Sequence, residues 1–306
     1  MATKSERAIA TARSYVHADV LAANVELPHG FKPKVKWTPF AAGIDHRLTH
    51  LLNDFCDHFN TAGCRELDIY QFGVFTGTGL HKIGASIKRF GHLWGFDSFK
   101  GIPAEADQLE QMAWRGARNF TNKFRQGQYS AADAMGVYNQ TELIGYVAQR
   151  VNRPNTTFVP GYFSDSLTDA LLRGHTFQPA LLVDLDVDIH SSTVQAMDWM
   201  FANKLIVPST FVRYDDWPFA IADSGVASGT TFYGQARAHY EMTRKWRVRW
   251  RHVAKNALVV LSIGDWHCAR QTCNRAPPLN GNNVSASNLI VTPPLSTGLP
   301  RLPPDE

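Results

Sequence analysis

Between residues 45 and 59 the apolar side chains Leu48, Leu51, Leu52, Phe55 and Phe59 recur at helical spacing, which predicts an amphipathic helix over Asp45–Phe59. Downstream the pattern changes to short apolar runs alternating with helical periods. Leu67–Phe72 and Leu93–Phe96 read as strands, with a helix over Gly79–Arg89 between them. Thr157–Val159 predicts a short third strand and Ser164–Leu172 a helix. Ala180–Val187 is a continuous apolar run broken only by acids at its end, as expected of a strand buried on both faces. A helix over Ser192–Asn203 and a strand over Thr210–Tyr214 continue the alternation. Such alternation implies a parallel sheet covered by helices on both sides. The end differs: after a helix at about Gly229–Arg244, the runs Arg247–Val253 and Ala257–Ile263 flank a short Ala-Lys-Asn turn and read as an antiparallel pair. The expected fold class is therefore α/β, a doubly wound and mostly parallel seven-stranded sheet closed by an antiparallel C-terminal hairpin.

The same pattern divides the chain. Residues 1–60 read as an N-terminal helical extension, with a helix over Ser5–Leu21 and a connector over Pro28–Pro39, and residues 61–265 as the main domain. Residues 101–155 form a long insertion between the second and third strands, with helices expected over Asp107–Arg118 and Ser130–Arg150. Connections of that length usually serve as lids or partner surfaces. Residues 266–306 turn to Pro, Asn and Ser and are expected to be disordered.

Composition narrows the class. With 44% hydrophobic and 19% charged residues in 306, the chain has the make-up of an ordinary globular protein. The formal charge of +4 is modest. The densest basic run, Arg244, Lys245, Arg247, Arg249 and Arg251, alternates as the outward face of a strand does, so no nucleic-acid partner is expected. No apolar run is long enough for a membrane span, and Met1–Ala23 lacks the apolar core of a secretory signal. Neither Cys56 and Cys64 nor Cys268 and Cys273 has zinc-knuckle spacing, and reduced thiols and a cytoplasmic location are expected.

Two features carry chemistry. In the segment Asp68–Leu80, a strand is followed by Gly73, Gly77 and Gly79, spaced GxxxGxG, and then by a helix. That is not the GxGxxG turn that holds a pyrophosphate, but its glycines let a bulky ligand lie against backbone. Asp97, with Ser98 after it, ends the second strand, where a carboxylate can accept hydrogen bonds from ribose hydroxyls; an ordinary turn aspartate is the alternative. The second feature is acidic. Asp184, Asp186 and Asp188 alternate at the end of one strand, and Asp215 and Asp216 end the next. Like charges converging at the carboxyl edge of a sheet call for a cation, and hard oxygen ligands suit Mg²⁺. His190 is a candidate ligand or base, or a plain helix-entry residue.

The segments Gln71–Gly79, Gly95–Pro103, Gly161–Leu167, Asp186–Thr193 and Tyr214–Trp217 occur in that order and together resemble the macrocin-type O-methyltransferases. These are class I S-adenosylmethionine-dependent enzymes with a Rossmann-like sheet closed by such a hairpin, acting on sugar hydroxyls. The likeness spans roughly residues 65–250. It implies S-adenosyl-L-methionine as co-substrate, held by Gly73, Gly77 and Asp97 with Ser164 and Asp165 near the adenine; Gln71, Gly79 and Ser98 join that candidate set. It also implies Mg²⁺ on Asp186, Asp215 and Asp216, with Asp188 as general base and His190 beside it. Gln71 stands where the family usually has Glu, and His190 where it usually has Tyr. The expected partner is a hydroxylated small molecule, a sugar or other vicinal diol, and a homo-oligomer is compatible with the fold. The alternatives are a metal-dependent glycosyltransferase, whose nucleotide sugar an Asp-x-Asp could hold, and a non-catalytic binding protein.

Overall fold

The computed structural model describes residues 44–59, 63–108, 110–111, 124–216, 234–254 and 256–264. The expected helix over Ser5–Leu21, the connector after it, most of the Asp107–Arg118 helix, Trp217, Cys268, Cys273 and the C-terminal tail lie outside the described residues.

The elements run α1 (His46–Phe59), β1 (Asp68–Phe72), α2 (Thr78–Ser86), β2 (Leu93–Asp97), α3 (Ala131–Met135), α4 (Gln140–Val151), β3 (Thr156–Pro160), α5 (Phe163–Ser166), α6 (Asp169–Gly174), β4 (Ala180–Leu185), α7 (His190–Ala202), β5 (Phe211–Tyr214), α8 (Gly234–Trp246), β6 (Val248–Ala254) and β7 (Ala257–Ile263). The strands form one seven-stranded sheet in the order β3-β2-β1-β4-β5-β7-β6. β3, β2, β1, β4 and β5 are parallel, and β7 enters antiparallel between β5 and β6. This is the doubly wound sheet with a closing hairpin that the apolar pattern predicts.

Alternation along the central strands sorts their side chains onto two cores. Ile69, Leu93, Leu182 and Phe211 face α1, α2, α3 and α4, whereas Tyr70, Phe72, Trp94, Val183, Leu185 and Tyr214 face α7 and α8. Residues 46–59 are thus part of the first core, through Leu48, Leu52 and Phe55. Asp45 caps α1, its Oδ1 accepting from the Leu48 N–H at 2.7 Å.

Three local readings are corrected. The expected Ser130–Arg150 helix is two helices: Gly136 ends α3 in the left-handed region, and the Asn139 side chain caps α4 on Glu142 N–H. The expected Ser164–Leu172 helix is likewise broken, with Thr168 capping α6. Cys56 and Cys64 form a disulfide, which joins the end of α1 to the turn before β1. The expectation of reduced thiols is thereby corrected for this pair, and it no longer supports a cytoplasmic location. Among the described residues, no helix is long and apolar enough to cross a membrane.

The insertion leaves and returns beside the carboxyl edge of the sheet. Gly127 N–H donates to Ile102 O and Ile102 N–H to Gln128 O, both at 2.8 Å, and Ala132 N–H donates to Phe99 O. The segment around Tyr129 is thereby held over the end of β2.

Candidate active site

The glycine turn is built by packing as much as by any ligand. Gly73 follows β1 with φ +86, and a Cβ there would overlap the carbonyl oxygen of Asp186. The chain at this point lies between two strand ends: Gly73 N–H donates to Phe96 O, and Asp186 N–H to Phe72 O, both at 2.9 Å. Gly77, φ +89, opens α2 in the left-handed region against Val147 and Val151 of α4. Gly79 lies directly over Gln71, whose Nε2 would be 2.9 Å from a Cβ at that position.

Asp97 binds this turn to the end of β2. Its Oδ2 accepts from the N–H groups of Val74 and Phe75, each at 2.7 Å, and its Oδ1 accepts from Phe99 N–H at 2.6 Å. The turn role weighed for this aspartate in the sequence is therefore present, and it extends across to the glycine loop. Ser98 is buried and engaged in the same turn, donating to Gly101 O and accepting from Lys100 N–H. Gly161 N–H donates to Asp97 O, which starts the loop into α5 beside this aspartate. Ser164 and Asp165 lie exposed on α5, the serine hydroxyl donating to the Asp165 carboxylate.

A polar row runs across the sheet beneath the turn. Gln71, Asp184 and Arg213 are register partners on β1, β4 and β5, so all three point to the same face. Gln71 Nε2 donates to Asp184 Oδ2 at 2.9 Å, and Arg213 pairs with Asp184 Oδ1 at 2.5 Å while its other terminal nitrogen pairs with Asp215. Asp184 is completely buried, and this ion pair accounts for it. Arg213 is the cation that the sequence reading did not anticipate. It offsets one charge of the five acids and leaves the rest to be explained.

Asp186, Asp215 and Asp216 each offer a carboxylate oxygen within 4.8 Å of the others, at the carboxyl ends of β4 and β5. Asp188, in the left-handed region at φ +61, lies within hydrogen-bonding reach of Asp216. Burial raises the pKa values of Asp186 and Asp188 well above the usual carboxylate range; next, Asp215 and Asp184 act on Asp186, and Asp216 and Asp186 act on Asp188. A cluster held at this electrostatic cost, with oxygen donors only, fits a hard divalent cation. His190 does not share this arrangement. It is buried at the start of α7 and its Nε2 lies 2.8 Å from Glu241 Oε2 on α8, so its ring joins two helices.

Three residues carried no sequence signal. Tyr129, in the insertion, sets its ring edge-on to Phe75 of the glycine turn, with centroids 6.4 Å apart. Burial, and after it the charges of Asp188, Asp216 and Asp186, push its phenol up to about 12, so the ring lies within electrostatic reach of the acids. Thr76, in the turn, is buried with its hydroxyl lacking a hydrogen-bond partner among the described residues, as is the Oε1 of Gln71 beneath it. A donor and an acceptor left open at the glycine turn fit a zwitterionic ligand end. The third is Gln235 on α8, whose Oε1 accepts from Asp216 N–H at 2.9 Å.

No protein-family model matches the chain, and no curated protein matches it. Solved structures similar to it include the O-methyltransferase NovP, at 15% identity and a TM-score of 0.45 over 69% of this chain and 78% of that one. The calicheamicin methyltransferase CalS11 is similar at 14% identity and a TM-score of 0.44, over 69% and 79%. TomG from Streptomyces achromogenes, an O-methyltransferase of tomaymycin synthesis in complex with SAM, is similar at 14% identity and a TM-score of 0.38, over 71% and 81%. Likeness at this level carries no function across.

Proposed function

We propose that this protein is an S-adenosylmethionine-dependent O-methyltransferase that acts, with Mg²⁺, on a hydroxyl of a small molecule, a sugar or another vicinal diol. One observation carries the reading: the glycine turn and the acidic cluster meet at one edge of the sheet, Gly73 lying against the Asp186 carbonyl while Asp186, Asp215 and Asp216 converge. Ligands of open α/β sheets bind at this carboxyl edge.

In this reading the glycine turn, with Thr76 and Gln71, receives the methionine end of the co-substrate, and Asp97 the ribose. Asp97 already spends three acceptor sites on backbone, which leaves it capacity for a further donor and fixes its position. Ser98 supports the turn, and Ser164 and Asp165 flank the adenine side. Asp186, Asp215 and Asp216 hold the cation. Bound there, Mg²⁺ supplies Lewis acidity that lowers the pKa of an acceptor hydroxyl. Asp188, beside Asp216 at the edge of the cluster, takes the hydroxyl proton. The oxygen lone pair forms the new O–CH₃ bond as the S–CH₃ bond breaks, and that bond's electron pair returns to sulfur. The sulfonium becomes a neutral thioether and the proton remains on Asp188. Most of the acceleration comes from holding the two reactants in line. Tyr129 and Phe75 form an aromatic wall on the acceptor side.

Thermal unfolding with S-adenosylmethionine and S-adenosylhomocysteine, each with and without Mg²⁺, tests the proposal. A ligand at about 100 times its dissociation constant adds about 2.7 kcal/mol of stability. No shift with either nucleoside would refute the co-substrate, and a nucleoside shift with no cation response would remove the metal from the scheme.

A further inference from the structure

Gln235 opens α8 and is fully buried. Its amide reaches the tips of both strands that carry the acidic cluster: Oε1 accepts from Asp216 N–H at 2.9 Å, and Nε2 donates to Leu185 O at 3.1 Å. Leu185 is the last residue of β4, immediately before Asp186, and its carbonyl also accepts from Asp215 N–H at 2.9 Å. One side chain thus links the Asp216 backbone to the Leu185–Asp186 peptide, on which Asp215 N–H also converges. Without it the Asp216 N–H loses its acceptor and the like-charged tips keep only the Asp215–Leu185 backbone bond against their repulsion.

α8 is itself gripped by the insertion. Gly234 N–H donates to Glu110 Oε2 at 3.0 Å, and Glu110 is fully buried. Arg237 makes a two-pronged pair with Asp107, at 2.8 and 3.1 Å, and reaches Glu110 Oε1 at 3.3 Å. Glu105 Oε2 accepts from Ser191 N–H at the start of α7, at 3.2 Å. Glu105, Asp107 and Glu110 therefore dock on the first turns of the two helices that follow the acid-bearing strands.

We propose that Gln235 is a positioning residue for the metal centre and that the insertion, through Asp107, Glu110 and Arg237, holds it in register, so that cation affinity depends on the insertion being docked. This rests on the metal reading given above. It gives Asp107 and Glu110 of the insertion a role in assembling the site. Groups that orient metal ligands from behind typically contribute 10–100-fold to metal affinity.

The test uses the full chain and two near-isosteric variants, Gln235→Met and Arg237→Met. Mg²⁺ affinity is measured by calorimetry, Mn²⁺ binding by electron paramagnetic resonance, and S-adenosylhomocysteine affinity in parallel. The expected result is Mg²⁺ binding about 10-fold or more weaker in Gln235→Met, a smaller loss in Arg237→Met, and unchanged nucleoside affinity in both. If Gln235→Met does not fold, Arg237→Met, altered on a partly exposed side chain outside the cluster, decides the matter alone. A folded variant with wild-type cation affinity overturns the inference while leaving the metal centre intact. A wild-type protein that binds the nucleoside and no cation removes the metal reading and the inference with it.

Discussion

Arg213 shows how one side chain changes the meaning of a motif. In the sequence, Asp184, Asp186 and Asp188 form an even row of acids; in the fold, Asp184 is neutralised by Arg213 and Gln71 beneath the sheet surface. Breaking a buried pair from one side leaves an uncompensated charge, so Arg213→Met should lower stability to urea by about 3–5 kcal/mol. Adding Asp184→Asn should recover part of that loss, because the stranded charge goes with it. Tyr129 makes a different prediction. Its ring is 46% exposed, which leaves a face open to an acceptor. Tyr129→Ala should raise the acceptor KM by on the order of 10-fold, the equivalent of about 1.4 kcal/mol, with co-substrate affinity unchanged. Comparison with Tyr129→Phe separates ring from hydroxyl, and an unaltered KM in both would remove Tyr129 from the acceptor side.

At the scale of elements, the sequence located the strands and most helices because their apolar periods are strong. Ala257–Ile263 is read and observed with the same ends, and β4 differs from its reading only in stopping at Leu185, where Asp186 turns away to meet Gly73. The errors fall where local capping competes with a weak period. Gly136 and Asn139 divide one expected helix, and Thr168 divides another. The glycine turn was recognised for its chemistry, yet its strictest requirement is steric: strand-end backbone fills the space a side chain would need at Gly73. Gly73→Ala should therefore cost about 1–3 kcal/mol for the left-handed backbone and more for the overlap. Both thermal stability and nucleoside binding should fall together, and a variant of wild-type stability would contradict this geometry.

Across the molecule, the acid cluster links stability to pH and to cation. Asp186 and Asp188 have raised pKa values in the metal-free fold, so between the unfolded value near 4 and the raised ones the folded state binds more protons. By linkage the metal-free protein loses stability as pH rises through that window. Asp107 acts in the opposite sense: its hydrogen bond to Arg237 holds it down to about 2, and that stabilisation disappears as pH falls from about 4 toward 2. Melting temperatures measured across pH should decline in chelator as pH rises above about 4 and flatten when Mg²⁺ is supplied, since a bound cation displaces those protons. A decline that Mg²⁺ leaves unchanged would count against a cation at these acids.

The alternation of apolar runs, the GxxxGxG turn and the paired acids at two strand ends are local signals. The chain alone therefore determined the sheet and its closing hairpin and set five acids at two strand ends, among which the resemblance singles out Asp186, Asp215 and Asp216 as candidate ligands. Which partner each polar group takes is decided by residues far apart in sequence, so only the tertiary structure could reveal it. Packing sends Asp184 to Arg213 and His190 to Glu241, and brings Tyr129 and Gln235 to the acidic cluster. Hydrogen bonds and ion pairs act over a few ångströms, and distances that short between residues 29 to 51 positions apart, as in the first two pairs, exist only once the sheet has formed.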